Sequence, residues 1–176
     1  EFGNACLLID ESLPARTALL EAVYVIECIA DAKLNIARFL PPTPLRAIVD
    51  TRLQRRHGFV ADADSVTKAA DRQFDLAPMR KVLNNLVPPM QGACETAARR
   101  DAASLIAEAA MAAEARLGAE LARLEALARV NPAVSAAEVQ ALRDEREAVL
   151  AALPGARPRL DALRLITSPD FLLLRR

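Results

Sequence analysis

From residue 89 to residue 129 the chain reads as helix almost without a break. Leu105, Ala109, Ala113, Leu117, Leu121, Leu124 and Ala128 recur every three or four residues, which makes one long amphipathic stripe. Alanine at many of those positions lets a second helix approach closely. Glu95 with Arg99, and Glu125 with Arg129, stand four apart in the favourable order. Gly92 and Gly118 each weaken the helix by up to about 1 kcal/mol relative to alanine; Gly118 lies where the stripe is strongest, and the helix is read as continuous there. Asn131-Pro132 stops it. Ser135-Ala136-Ala137-Glu138 then spells a capping box, in which the serine oxygen takes an amide proton of the first turn and the glutamate reaches back. A second helix follows to Leu153, with Val139, Leu142, Val149 and Leu150 as its apolar face, and Pro154-Gly155 ends it. So short a connection predicts an antiparallel helical hairpin.

Extended segments flank that hairpin. Residues 5–10 form a short apolar run with an acidic end. Residues 17–29 alternate most clearly: Leu20, Ala22, Tyr24, Ile26 and Cys28 share a core face, and Glu21, Val23, Val25 and Glu27 share the other. Residues 34–40 read as the next strand, in a hairpin with the last. Pro41-Pro42-Thr43-Pro44 demands a rigid bend or an edge position, and residues 45–50 resume the extended pattern. Residues 51–64 read as a loop or weak strand. Residues 65–74 read as one helix and residues 79–87 as a short one ended by Pro88-Pro89. Residues 160–167 are extended again and are expected to join the sheet of the N-terminal half. Residues 171–174 are apolar, and either pack on the domain or form an exposed tail. The predicted class is α+β: an antiparallel sheet from N-terminal strands plus a C-terminal strand, with a long antiparallel helical hairpin. The expected sections are 1–56, β-rich; 57–88, an irregular or short-helix connection; 89–153, the helical hairpin; and 156–176, the closing strand and tail. Together they read as one compact unit.

Charge excludes some functions. The 23 basic and 23 acidic side chains cancel, which argues against a surface given over wholly to nucleic acid or membrane. Arg55-Arg56-His57, Arg80-Lys81 and Arg99-Arg100 are short, separated clusters that read as solvated charge. Aromatic residues make up 3% of the chain and form no ladder with arginines, which is what single-strand binders use. Cys6, Cys28 and Cys94 lack metal-ligand spacing; Cys6 and Cys28 fall in apolar runs and read as buried thiols, in keeping with a reducing cytoplasm. No apolar run has membrane length, and no membrane partner is expected. The chain begins Glu1-Phe2, without an initiator Met, and reads as an excised piece of a larger protein.

Reaction chemistry is missing. No glycine precedes Lys-Ser or Lys-Thr, so a phosphate-cradling loop has no material. Leu7-Leu8-Ile9-Asp10-Glu11 has the look of a Mg²⁺-holding strand end, but without that loop it reads as an ordinary acidic turn. His57 is the single histidine and reads as a solvated loop residue. Glu21 and Glu27 lie about 20 Å apart on an extended strand, too far for a hydrolytic pair, and read as a charged rim. No catalytic, cofactor-binding or metal residue is assigned. What remains is surface suited to protein partners.

Three pieces of text are more specific than any of this: ARFLPPTPLRAIVD from Ala37 to Asp50, AELARLEALARVNP from Ala119 to Pro132, and RLDALRLI from Arg159 to Ile166. They resemble the C-terminal domain of the RapA (HepA) family, bacterial Swi2/Snf2-type ATPases that bind RNA polymerase. The likeness runs from about residue 3 to residue 166. It is weakest over residues 51–100, where this chain has Asp71-Arg72-Gln73-Phe74-Asp75-Leu76 and adds Pro78, Pro88 and Pro89. The resemblance implies a non-catalytic, cytoplasmic domain of a parent that recycles polymerase after transcription. ATP and Mg²⁺ would be bound in the parent's ATPase lobes, and nucleic acid only through the parent. The implied partners are RNA polymerase and those lobes. The alternative reading is a free-standing helical adaptor.

Overall fold

The computed structural model describes residues 4–62 and 76–171. The helix expected at 65–74 lies outside them, as do Glu1-Phe2 and residues 172–176. Within the described residues the chain forms two compact units. One takes in the stretches up to Val25, from Pro44 to Arg100 and from Arg159 onward; the other holds Ile26–Thr43 and Asp101–Pro158.

The first unit is built on a sheet of four strands. They are β1 (Asn4–Ile9), β2 (Ala18–Glu27), β3 (Pro44–Asp50) and β4 (Arg157–Thr167), in the order β1-β4-β2-β3. The expected C-terminal strand does join the sheet, and it enters the middle rather than an edge. β1 pairs in parallel with β4, Leu7 opposite Leu165. β2 pairs antiparallel with β3, Leu20 opposite Val49. Ser168 N donates to Thr17 O at 2.9 Å, which sets the end of β4 beside the start of β2 and makes that pair antiparallel. The sheet is therefore mostly antiparallel, with one parallel edge.

The predicted strand at 34–40 is absent. Two turns of 3-10 helix, Ala32–Leu34 and Ile36–Arg38, stand there. Asp31 Oδ1 accepts from Lys33 N at 2.9 Å and starts the first turn, and Asn35, at φ 43°, joins it to the second. Ile36 and Leu40 are both buried and four apart, which is the spacing of a helical turn and not of a pleat. The strand that follows β2 and pairs with it is β3. Pro44 is its first residue on the sheet edge, where a missing N–H breaks no inner ladder.

Helix α1 (Arg80–Val130) runs unbroken through Pro88 and Pro89. The expected stop does not occur there. The two prolines deprive the Asn84 and Asn85 carbonyls of helical donors, and all four residues are exposed, within reach of water. The apolar stripe stays in phase across them: Leu83, Leu86, Met90, Cys94 and Ala98 pack on Leu20, Ala22, Tyr24, Ala47 and Val49. Burial of that continuous stripe, at roughly 25 cal/mol per Å², offsets the prolines. Phe171, the last described residue, is buried against Ala18 and Met79.

The second unit holds the helical hairpin. Its other arm, α2 (Ala136–Ala152), begins at the predicted capping box: Glu138 N donates to Ser135 Oγ at 3.2 Å, and Ser135 N donates to Glu138 Oε2 at 2.8 Å. Ala109, Ala113 and Leu117 of α1 and Val149 of α2 are buried. Arg143 pairs with Glu125 at 2.8 Å, and Arg146 Nε donates to Glu114 Oε2 at 3.0 Å. Glu125 thus bonds the opposite arm, where Arg129 had been expected, because Arg143 is brought to it by the hairpin.

Candidate interaction surface

The sheet's two faces have different surroundings. α1 covers one. On the other, Leu8, Leu19, Ile48 and Ile166 form a small core with Leu13, Phe59 and Ala61 laid over it. Asp10 ties down that cover. It is fully buried, and its carboxylate accepts from Ser12 N at 2.9 Å, Ser12 Oγ at 2.6 Å and Asp62 N at 3.0 Å. Burial pulls its pKa upward, but the Ser12 and Asp62 hydrogen bonds outweigh that and leave it below the ordinary carboxylate value. The acidic strand end is a loop anchor.

Glu21 lies on the same face, one pleat further along β2. It was expected as a charged rim and is buried instead, with 7% of its side chain exposed. Arg46 of β3 pairs with one carboxylate oxygen, and Arg164 of β4 approaches the other at 3.4 Å. Arg46 also donates to Phe59 O at 2.8 Å. Ile48 is opposite Glu21 and Arg46 opposite Val23, which sets Arg46 diagonally beside Glu21 on one side; β4, the other neighbour of β2, brings Arg164 from the opposite side. The two arginine side chains remain 43% and 37% exposed. Glu27, at the end of β2, takes no part in this cluster. Sequence periodicity put Glu21 on the right face; its partners could be found only from the strand order.

His57 is an exposed loop residue. With Arg56 it edges a shallow cavity of about 310 Å³ floored by Leu13, Leu19 and Phe59. Arg56 pairs with Asp50 at 3.4 Å, and Arg99 bonds Glu95 at 3.2 Å within its own helix. Cys6 is exposed and Cys28 half-buried, so the expectation of buried thiols fails for both. Cys6 sits on the edge strand β1, on the open face, where an apolar neighbourhood in sequence gives no cover. Cys94, by contrast, is enclosed between α1 and the sheet, and its thiol points to the Leu20 and Ala47 carbonyls at 3.6 and 3.7 Å. Burial pushes the Cys94 thiol up to about 11 and the Tyr24 hydroxyl beside it up to about 12. The described aromatics serve packing: Tyr24 and Phe171 are buried, Phe59 covers the second core, and Phe39 lies under Arg38 at 4.7 Å. Among the described residues no three His, Cys, Asp or Glu side chains gather as a metal site would require, and no helix is long and apolar enough to cross a membrane.

This geometry presents surfaces: an open sheet face bearing paired arginines, and a helical hairpin. The family model described as RNA polymerase recycling family C-terminal matches residues 1–168. The chain belongs to that family. The RNA polymerase recycling family relatives include the RNA polymerase-associated protein RapA of Pectobacterium atrosepticum and of Serratia proteamaculans, each 39% identical over 167 residues. The protein of the same name from Actinobacillus pleuropneumoniae is 35% identical over 170 residues. These alignments cover 91–92% of this chain and 17% of each relative. The chain therefore spans about a sixth of the length of the curated relatives it matches, in their C-terminal part.

Proposed function

We propose that this chain, from its β-rich opening through the helical hairpin to the closing strand, is one non-catalytic accessory domain of an ATP-dependent, cytoplasmic RNA polymerase recycling factor. ATP and Mg²⁺ belong to Swi2/Snf2-type lobes elsewhere in such a parent. The domain's work is to brace those lobes, to contact RNA polymerase, or both, and nucleic acid meets the parent rather than this piece. One observation carries the reading: the family match runs over residues 1–168, and the relatives are RNA polymerase-associated proteins of which this chain corresponds to 17%.

A co-precipitation of core RNA polymerase tests it, with the chain alone, the parent, and the parent lacking this domain. The expected result is polymerase capture or ATPase rate reduced in the truncated parent, and no ATP hydrolysis by the chain alone. ATP turnover by the purified chain above a denatured control would overturn the non-catalytic assignment. A truncated parent equal to the intact one in both capture and ATPase rate would favour a free-standing adaptor.

A further inference from the structure

Among the described residues, the face of the sheet away from α1 is covered over only part of its length. The cover resting on Leu8, Leu19, Ile48 and Ile166 leaves Val23, Val25 and Ala162 half-exposed on the same face, Val23 directly opposite Arg46, Val25 two residues further along β2, and Ala162 two residues before Arg164 on β4. We propose that this open strip docks an acidic protein segment, with carboxylates on the two arginines and apolar side chains over the valines.

Three observations carry it. First, the charges do not balance locally. Two guanidiniums share the single carboxylate of Glu21, which leaves one positive charge at a half-exposed position. Second, the donors do not balance either. Each guanidinium has five N–H groups in a fixed fork, more than the two Glu21 oxygens and the Phe59 carbonyl can take up. Glu21 is itself buried and bonds the Arg46 fork, with Arg164 drawn to its other oxygen at 3.4 Å, so little Arg46 side-chain entropy is lost when a carboxylate arrives. Third, the floor beside them is aliphatic. Val23 is paired in register with Arg46, and Val25 follows two residues on, the spacing at which an extended segment presents alternate side chains. A phosphate backbone would satisfy the arginines but has nothing to lay on valine, and among the described residues no aromatic side chain is on this strip for a base to stack on. A protein segment with alternating acidic and apolar residues satisfies both. The inference rests on this face alone, whichever molecule carries the segment.

The test is fluorescence anisotropy on the whole chain at low and at physiological salt. The probes are a labelled peptide of six alternating Glu-Val pairs and an oligouridylate of equal charge. Glu21→Gln raises the local charge by one and keeps both arginines, so peptide affinity is expected to rise about two- to fivefold. The triple variant Arg46→Gln, Glu21→Gln, Arg164→Gln removes the charges without stranding any of them in a buried site, and is expected to lower affinity by at least as much. Arg129→Gln, on the helical hairpin, is expected to change nothing. Tyrosine fluorescence melts show which variants are folded. If the triple variant does not fold, the rise in Glu21→Gln alone decides. The proposal is overturned if the wild-type chain shows no saturable peptide binding. A Glu21→Gln affinity equal to or below wild type overturns it too, and so does tighter binding of the oligouridylate through the same residues.

Discussion

Asp10→Asn separates a structural carboxylate from a functional one. Asp10 is fully buried and receives three hydrogen bonds. Ser12 supplies two of them from two residues away, and both can be remade with water if the turn loosens. The third, from Asp62 N, reaches across 52 residues and fastens the cover of the second core. In the asparagine variant one oxygen still serves Ser12, and an amide NH₂ then confronts the Asp62 N–H, donor against donor. A hydrogen bond to a charged acceptor contributes about 1.5–3 kcal/mol, and a buried donor left without a partner costs a similar amount. Only the Asp62 bond is irretrievable, so the expected loss is roughly 2–4 kcal/mol, a sizeable part of the 5–15 kcal/mol typical of a domain. The pH dependence should change as well. Asp10 has a folded pKa below its ordinary value of 3.8, so its stabilisation is full above that value and is lost as pH falls through the folded pKa. Asp10→Asn should lack that part of the acid limb. Tyr24 is the only tyrosine, there is no tryptophan, and Tyr24 is buried beneath α1. Urea titration followed by tyrosine emission therefore reads this unit, and hydrogen exchange at the Asp62 amide reads the tether. A variant within about 0.5 kcal/mol of the parent, with Asp62 still protected, would refute the reasoning.

Three other perturbations have definite signs. Leu53 is 46% exposed and sits at φ 61° at the tip of a turn held by Asp50; Leu53→Gly should stabilise by about 0.5–1 kcal/mol in urea titration, the relief of backbone strain exceeding glycine's unfolded entropy. Ser135→Ala should cost about 1 kcal/mol of hairpin stability, seen as a lowered helical CD melt, since it removes the acceptor for Glu138 N. In alkali, the raised pKa values of Cys94, about 11, and Tyr24, about 12, mean that their stabilisation is complete below the ordinary values of 9.0 and 10.0. It is lost as pH climbs toward the folded values, on the order of 2–3 kcal/mol for each group. A tyrosinate absorbance titration with its midpoint near 10 in a still-folded chain would contradict this.

The parts of this fold that could be read from residues alone are those that one segment decides by itself. The alternation from Leu20 to Ile26 identifies a strand and its buried side, and Ser135 with Glu138 identifies a helix start. The misreadings at Pro88-Pro89 and Glu21 involve a second segment, and that at 34–40 is local. Residues 34–40 looked like a strand because Leu34 and Ile36 alternate, but Asp31 and Asn35 offered the backbone local turns that compete with pairing. Pro88-Pro89 looked like a stop because a proline's local cost is visible and the compensating contact of Met90 and Cys94 with the sheet is not. Glu21 looked like a rim because its two arginines come from β3 and β4, 25 residues ahead and 143 residues ahead along the chain. The candidate surface depends on that convergence, and so it was the least legible part of the chain.

The strand order makes one further demand. β1 and β2 follow each other in the chain, yet β4 lies between them. β1 has no other neighbour among the described strands, and its Leu8 belongs to a core shared with Ile166 of β4. Leaving out residues 157–171 would therefore expose the inner edge of β2, strand β1 without its partner, and Arg46 and Glu21 without Arg164. It would also remove Phe171, which is buried against Met79 at the approach to α1. Unpaired edges of this kind invite association between chains. A chain cut at residue 156 should keep the helical CD signal of the hairpin, whose arms and capping box precede the cut, and should lose protection at the amides of residues 4–9 and aggregate. Contacts spanning some 150 residues must form before the sheet closes, so closure should be slow beside hairpin formation. Native protection of residues 4–9 in the shortened chain would show that β1 finds its place without β4, and would undo the argument that the closing strand is the keystone of the recognition face.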